Sequence, residues 1–110
     1  MSAELISEIT AGLAKVIGEN SGFGSILKFD FEGQGVVVID GKTVPNSVGN
    51  TDAAADCTIV ISPDNLMKMF KRELDPTMAF MQGKMKVLGD MAVAMKLGPI
   101  LQKAAAAAGV

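Results

Sequence analysis

The sequence predicts an α+β domain spanning residues 1–110, with one mostly antiparallel sheet and the order α-β-β-(β)-β-α-α-β-α. Three observations carry this. Leu5, Ile9, Leu13 and Val16/Ile17 recur at helical spacing, whereas Leu27, Phe29 and Phe31 alternate with Lys28, Asp30 and Glu32 at the strand period. The later helices announce their starts with a capping residue followed by proline, in Ser62-Pro63 and Asp75-Pro76.

Residues 2 to about 20 read as an amphipathic helix, with Ser2 as N-cap and Glu4 and Glu8 near its positive end. Gly18, Asn20, Ser21, Gly22 and Gly24 end it in a loop. Residues 26–32 form a half-exposed strand, Gly33-Gln34-Gly35 a turn, and residues 36–40 the return strand of a hairpin. Val36, Val37, Val38 and Ile39 are apolar on both faces, so that strand is expected to be covered on both sides. A short, weak strand is placed around Thr43 and Val44, limited by Pro45, and residues 46–55 read as loop. Residues 56–61 give a strand with Cys57, Ile59 and Ile61 on one face. The helix after Ser62 carries Leu66, Met67, Met69, Phe70 and Leu74, and a short helix runs from Asp75 to Gln82 with Gly83 as its stop. Residues 84–88 make the last strand, Gly89-Asp90 cap the last helix, and Gly98-Pro99 kink or restart it before an alanine-rich tail.

Composition excludes several functions. The net charge of −2 provides no footprint for nucleic acid, and at most a transient contact with membrane is expected. One cysteine allows neither an internal disulfide nor a cysteine metal cluster. No basic n-region, no membrane-length apolar run and no peroxisomal C-terminal signal occur, so the expectation is a soluble cytoplasmic protein. The chain has no histidine, so the usual base near neutral pH is missing. Asp30 and Glu32 are the one candidate carboxylate pair, and they read as solvated surface charge. Asp64, Asp75 and Asp90 stand where helix starts want an acid, and Cys57 reads as an inert buried thiol. No catalytic set, metal or cofactor is expected.

The unusual stretch is residues 75–101, which hold five of the eight methionines, Met78, Met81, Met85, Met91 and Met95. Methionine suits surfaces that re-pack around variable apolar partners. In the last helix Met91, Val93, Ala94, Met95, Leu97, Ile100 and Leu101 leave only a narrow polar edge near Lys96 and Lys103. Either that helix is deeply buried core, or one edge packs on the sheet while another lines an apolar cavity. Gln82 either caps a helix end or bonds the polar head of a ligand.

The run Ala79-Phe80-Met81-Gln82-Gly83-Lys84-Met85-Lys86-Val87-Leu88-Gly89-Asp90-Met91, followed by Ala94-Met95-Lys96-Leu97, resembles the signature of the sterol carrier protein type 2 family. Val44-Pro45-Asn46-Ser47 and Ala55-Asp56-Cys57-Thr58-Ile59 resemble that family's middle segment in the same order. The resemblance implies a five-stranded sheet covered by helices around an apolar tunnel. It further implies a non-enzymatic carrier of fatty acid, fatty acyl-CoA, sterol or isoprenoid chains. It places the lining on Phe80, Met81, Gln82, Met91 and Met95; Leu66 and Phe70 are added from their helical faces. The chain departs from the family where Val36-Val37-Val38 replaces a frequent tryptophan, and where Asp90 and Ala92 replace the commoner Asn and Gly. Such swaps change the width of a tunnel, so a sterol is not assumed. Two alternatives follow: a factor presenting lipid to quinone-forming or other lipid-metabolising enzymes, or a module that docks a partner helix.

Overall fold

A computed structural model describes residues 2–17, 24–96 and 99, with backbone alone at Ser2 and Phe70. The elements are α1 (Ser2–Ile17), β1 (Ile26–Asp30), β2 (Val36–Asp40), β3 (Ser47–Gly49), β4 (Cys57–Ile61), α2 (Pro63–Phe70), α3 (Pro76–Met81), β5 (Met85–Gly89) and α4 (Met91–Met95). The five strands lie in the order β3-β2-β1-β4-β5. Antiparallel pairing joins β1 to β2, β2 to β3 and β4 to β5, while β1 and β4 run parallel at the centre. The predicted class and the mostly antiparallel sheet are therefore present. The predicted loop at Gly18–Gly22, the restart after Gly98 and the alanine-rich tail lie outside the described residues.

A parallel pair needs a crossover, because a tight hairpin can join only antiparallel neighbours. Residues 50–56 provide it. Lys28 Nζ donates to Asp52 Oδ1 at 2.8 Å, tying the crossing chain to β1. Asp56 then clamps the end of β1 from both sides. Its backbone N donates to Ile26 O at 2.9 Å, and its Oδ2 accepts from Ile26 N at 2.9 Å.

The core follows the strand period. Leu27, Phe29, Val37, Ile39, Cys57, Ile59 and Ile61 are fully buried, and register aligns Val37, Phe29, Ile59 and Val87 across four strands. Phe31 stays inward beyond the end of β1, its ring stacked on Phe29 with centroids 6.3 Å apart. Ile6, Ile9, Leu13 and Ile17 of α1 and Leu66 and Met69 of α2 close over this surface. Burying each such side chain stabilises by about 1.5–3 kcal/mol before entropy is counted. The other face is different. Val36, Val38 and Val60 are only half-buried, so β2 is not closed on both sides as expected. The helices place their buried side chains in one common cluster with the inward strand residues, and the opposite face receives the Asp52 crossover instead.

Two boundaries moved for local reasons. The third strand lies at Ser47–Gly49, after Pro45 rather than at Thr43 and Val44. Asp40 Oδ1 accepts from both Lys42 N and Thr43 N at 3.0 Å, which curls the chain as soon as β2 ends. Asn46 Nδ2 donates to Thr43 O at 2.7 Å, the Val44-Pro45 bond is cis, and Ser47 then pairs with Asp40. The first strand stops at Asp30, not Glu32. Asp30 Oδ1 accepts from Glu32 N at 3.1 Å, and Glu32 adopts φ +57 as the first residue of the turn. Asp30 and Glu32 thus share a turn, not a strand face.

Candidate functional site

The segment from α3 to α4 is shaped by three local devices. Asp75 Oδ1 accepts from Thr77 N at 2.8 Å and starts α3. At the other end Gln82 is the C-cap: its backbone N donates to Met78 O at 2.9 Å. Gly83, at φ +74, donates from its N to Phe80 O, and Lys84 N bonds Ala79 O, turning the chain into β5. Asp90 Oδ1 accepts from Ala92 N at 2.8 Å and starts α4. The two aspartates satisfy backbone N–H groups that a helix start leaves without partners, and the turn at Gln82–Lys84 satisfies carbonyls that a helix end leaves without them.

Between the last two devices lies a close approach. Gly89 sits opposite Cys57 with φ +97, and a Cβ there would stand 2.5 Å from Asp56 O. The next residue uses the same oxygen, since Asp90 N donates to Asp56 O at 2.9 Å. Strand β4 therefore dictates where β5 ends and where α4 departs.

What these elements present is apolar and exposed. In α3 only Ala79 is buried, leaving Met78, Phe80 and Met81 on the surface, Met81 at 74% exposure. In β5, Met85 and Val87 turn to the core while Lys86 and Leu88 turn outward. In α4 Val93 is buried, and Met91 and Met95 each lie about 200° round the helix from it, so both face away from the core. Met95 is 80% exposed. Of the seven exposed large apolar side chains among the described residues, six belong to these three elements. Helices α3 and α4 both lie against β5, which is an edge strand, so the six belong to elements that neighbour one another.

The seven predicted site residues thus separate. Phe80, Met81 and Gln82 fall together at the end of α3, and Met91 and Met95 form a stripe on α4. Gln82 caps through its backbone, and its side-chain amide is exposed. Leu66 is fully buried among the α1, α2 and sheet residues. The side chain of Phe70 lies outside the described residues. The deeply buried version of the last helix does not hold over Met91–Met95, and Leu97, Ile100 and Leu101 are outside the described residues. Met78, part of the methionine-rich stretch, and Leu88 are not among the predicted site residues. The signals were available: Met78 precedes Met81 by three residues on one helix, and Leu88 shares the outward face of its strand with Lys86.

Three ionisable groups are shifted by their surroundings. Burial is the main cause that pushes the Cys57 thiol above its usual pKa, and the Asp90 carboxylate adds to it. Backbone donation from Thr43 is the largest cause holding Asp40 below the usual carboxylate value, and Lys28 does the same for Asp52. Among the described residues no group of three or more His, Cys, Asp or Glu side chains is placed to hold a metal ion. No described helix is long and apolar enough to cross a membrane. An open recess of about 240 Å³ lies elsewhere, lined by Ile6, Ser7, Gln34, Val36 and Asn50 between the start of α1 and the β1–β2 turn.

Residues 3–102 match the model of the SCP-2 sterol transfer family. Hydroxysteroid dehydrogenase-like protein 2 of Bos taurus is 35% identical over 83 residues, which are 72% of this chain and 20% of that protein. Sterol carrier protein 2 of Oryctolagus cuniculus is 44% identical over 61 residues, 54% of this chain and 11% of that protein. The chain therefore spans a fifth or less of the length of these curated relatives. Among solved structures, apo sterol carrier protein 2 from Yarrowia lipolytica superposes with a TM-score of 0.71 at 22% identity, covering 94% of this chain and 91% of that one. Sterol carrier protein-2 from Aedes aegypti in complex with the C16 fatty acid palmitate gives 0.69 at 24% identity, covering 87% and 93%. At these identities the likeness is one of fold.

Proposed function

The chain belongs to the SCP-2 sterol transfer family, and on that premise we propose that it binds a long apolar lipid and carries it without transforming it. A fatty acid is the first candidate cargo, within a wider class of fatty acyl-CoA, sterol and isoprenoid chains. The observation that carries this reading is the concentration of exposed Met and Phe side chains on α3 and α4. Large apolar patches on a protein surface mark places that bind something. The palmitate complex of the Aedes aegypti relative supports a fatty acid as the first cargo to test.

In this reading the cargo chain lies in an apolar tunnel between the helices and the sheet. Leu66 forms the inner wall; Phe80, Met81, Met91 and Met95 fold over the chain at the open end, and the Gln82 amide meets the polar head. Methionine is suited to such closure because its unbranched side chain re-packs at little cost. Each cargo methylene removed from water contributes roughly 0.8 kcal/mol. The carboxylates and the thiol support carriage over catalysis. Asp75 and Asp90 cap helices, Asp30 closes a turn, and Cys57 is buried with its thiol held protonated.

Thermal unfolding with and without palmitate tests the proposal. At a ligand concentration one hundred times Kd, stability rises by about 2.7 kcal/mol. Phe80→Ser and Met95→Ser should each weaken palmitate binding roughly 10- to 150-fold, from the roughly 1.5–3 kcal/mol that burying such a side chain contributes. Both residues are exposed without cargo, so the melting temperature of the free protein should hardly change. No palmitate-dependent shift at any concentration would refute the reading.

A further inference from the structure

The carrier reading uses Met81, Met91 and Met95 for their shape and leaves their chemistry unused. A thioether takes an oxygen atom from a hydroperoxide, and how readily it does so follows its exposure. Met78, Met81, Met91 and Met95 are exposed, whereas Met69 and Met85 are buried, at 5% and 7% exposure. Among the described residues the exposed thioethers are confined to α3 and α4. The chain offers an oxidant little else. It has no tryptophan, tyrosine or histidine, and its one cysteine, Cys57, is fully buried. Mild oxidation is therefore directed to the two helices that the carrier reading folds over the cargo.

The reaction is a two-electron oxygen transfer. The methionine sulfur attacks one oxygen of the hydroperoxide, the O–O bond breaks and an S–O bond forms. The proton of the attacked oxygen passes to the departing one, which leaves as water or an alcohol; sulfur is oxidised and the peroxide reduced. A polar sulfoxide now stands where an apolar thioether stood. Folded over an acyl chain, its oxygen would exchange water for methylenes, a penalty that opposes loading. Cargo opposes oxidation in return, because closure takes the same sulfurs out of solvent. We infer that Met81, Met91 and Met95 are an oxidation site for hydroperoxides, and that their sulfoxides close the empty carrier to cargo. The consequence for cargo rests on the carrier reading, whereas the selectivity of oxidation is separately measurable. Met78 takes no part in that closure and provides an internal reference.

The test joins peptide mapping to palmitate titration of the full chain after treatment with hydrogen peroxide. In the folded protein Met78, Met81, Met91 and Met95 should gain oxygen well before Met69 and Met85, and unfolding in denaturant should abolish the difference. Saturating palmitate should slow oxidation at Met81, Met91 and Met95 and leave Met78 unaffected. Protein oxidised at the exposed sites should bind palmitate at least about tenfold more weakly, as after the loss of one buried methionine. Methionine sulfoxide reductases should restore the binding. All four sulfurs are exposed, so the melting temperature without palmitate should fall by no more than a few degrees. With Met81→Leu, Met91→Leu and Met95→Leu combined, peroxide should no longer change the affinity, whatever its starting value. Oxidation of Met69 or Met85 as fast as Met81 and Met95 overturns the inference and leaves the carrier intact. So does oxidised protein that binds palmitate as tightly as untreated protein. Binding lost together with a collapse of the melting temperature also overturns it, as unfolding rather than blocked closure. Untreated protein that binds no palmitate overturns the carrier reading and the closure with it, a failure seen before any oxidant is added.

Discussion

Replacing Gly89 with alanine tests whether β4 dictates the departure of α4. The added Cβ would meet Asp56 O at 2.5 Å, a backbone atom that cannot turn aside. Gly89 also has φ +97, where a side chain is strained by about 1 kcal/mol or more. Relieving the contact requires β5 and β4 to separate at the Cys57–Gly89 pair, which weakens the 2.9 Å bond from Asp90 N to Asp56 O. Losing that bond costs about 1 kcal/mol, and the steric shift adds about 1 more. The total, about 3 kcal/mol, corresponds to a fall in melting temperature of roughly 12–24 °C at 4–8 °C per kcal/mol. Gly33→Ala is the control: φ there is +90, but nothing lies within 4 Å of the new Cβ. Only the backbone term of about 1 kcal/mol should remain. Thermal melts followed by circular dichroism measure both. Equal losses in the two variants would refute the close approach and, with it, the account of how α4 is aimed.

Other perturbations separate core from surface. Leu66→Ala should destabilise by about 2–5 kcal/mol in denaturant titration, because its side chain is fully buried. Asp90→Ala removes the cap on Ala92 N and should cost about 1 kcal/mol. The Asp52 carboxyl is held below its ordinary 3.8 chiefly by Lys28, so its contribution is fully present above that value and disappears as pH falls through the lowered pKa. Asp52→Asn should therefore be slightly less stable than the parent near neutral pH and equal to it in strong acid, as acid titration of the melting temperature will reveal. The raised Cys57 thiol should react slowly with a disulfide reagent at pH 8 in the native protein and rapidly after unfolding.

The parts of the fold legible in the sequence are those decided by neighbours in the chain. Ser62-Pro63, Asp75-Pro76 and Asp90 start helices because a side chain two or three residues away accepts a backbone N–H, and all three do so. The inward faces of β1 and β4 were readable from alternation alone. Less local matters were not. Asp40 captures two backbone N–H groups and moves β3 beyond Pro45, a competition between side chain and strand that propensity does not rank. The parallel pairing of β1 with β4 depends on a crossover whose ties, Lys28 to Asp52 and Ile26 to Asp56, join residues far apart in sequence. The role of Gly89 arises only when Asp56 O arrives beside it. For the site, apolar spacing says which side chains of α4 can be buried and not what is present to bury them. Val93 meets the core, while Met91 and Met95 meet nothing comparable among the described residues and are exposed.

Native mass spectrometry of the protein taken directly from cells tests lipid carriage most directly. The account predicts a population one long-chain lipid heavier than the bare chain, exchangeable for added palmitate at one molecule per chain. Phe80→Ser and Met95→Ser should release that adduct at lower collision energy. A bare chain from cells that also takes up no palmitate, while its melting temperature shows it folded, would contradict the account.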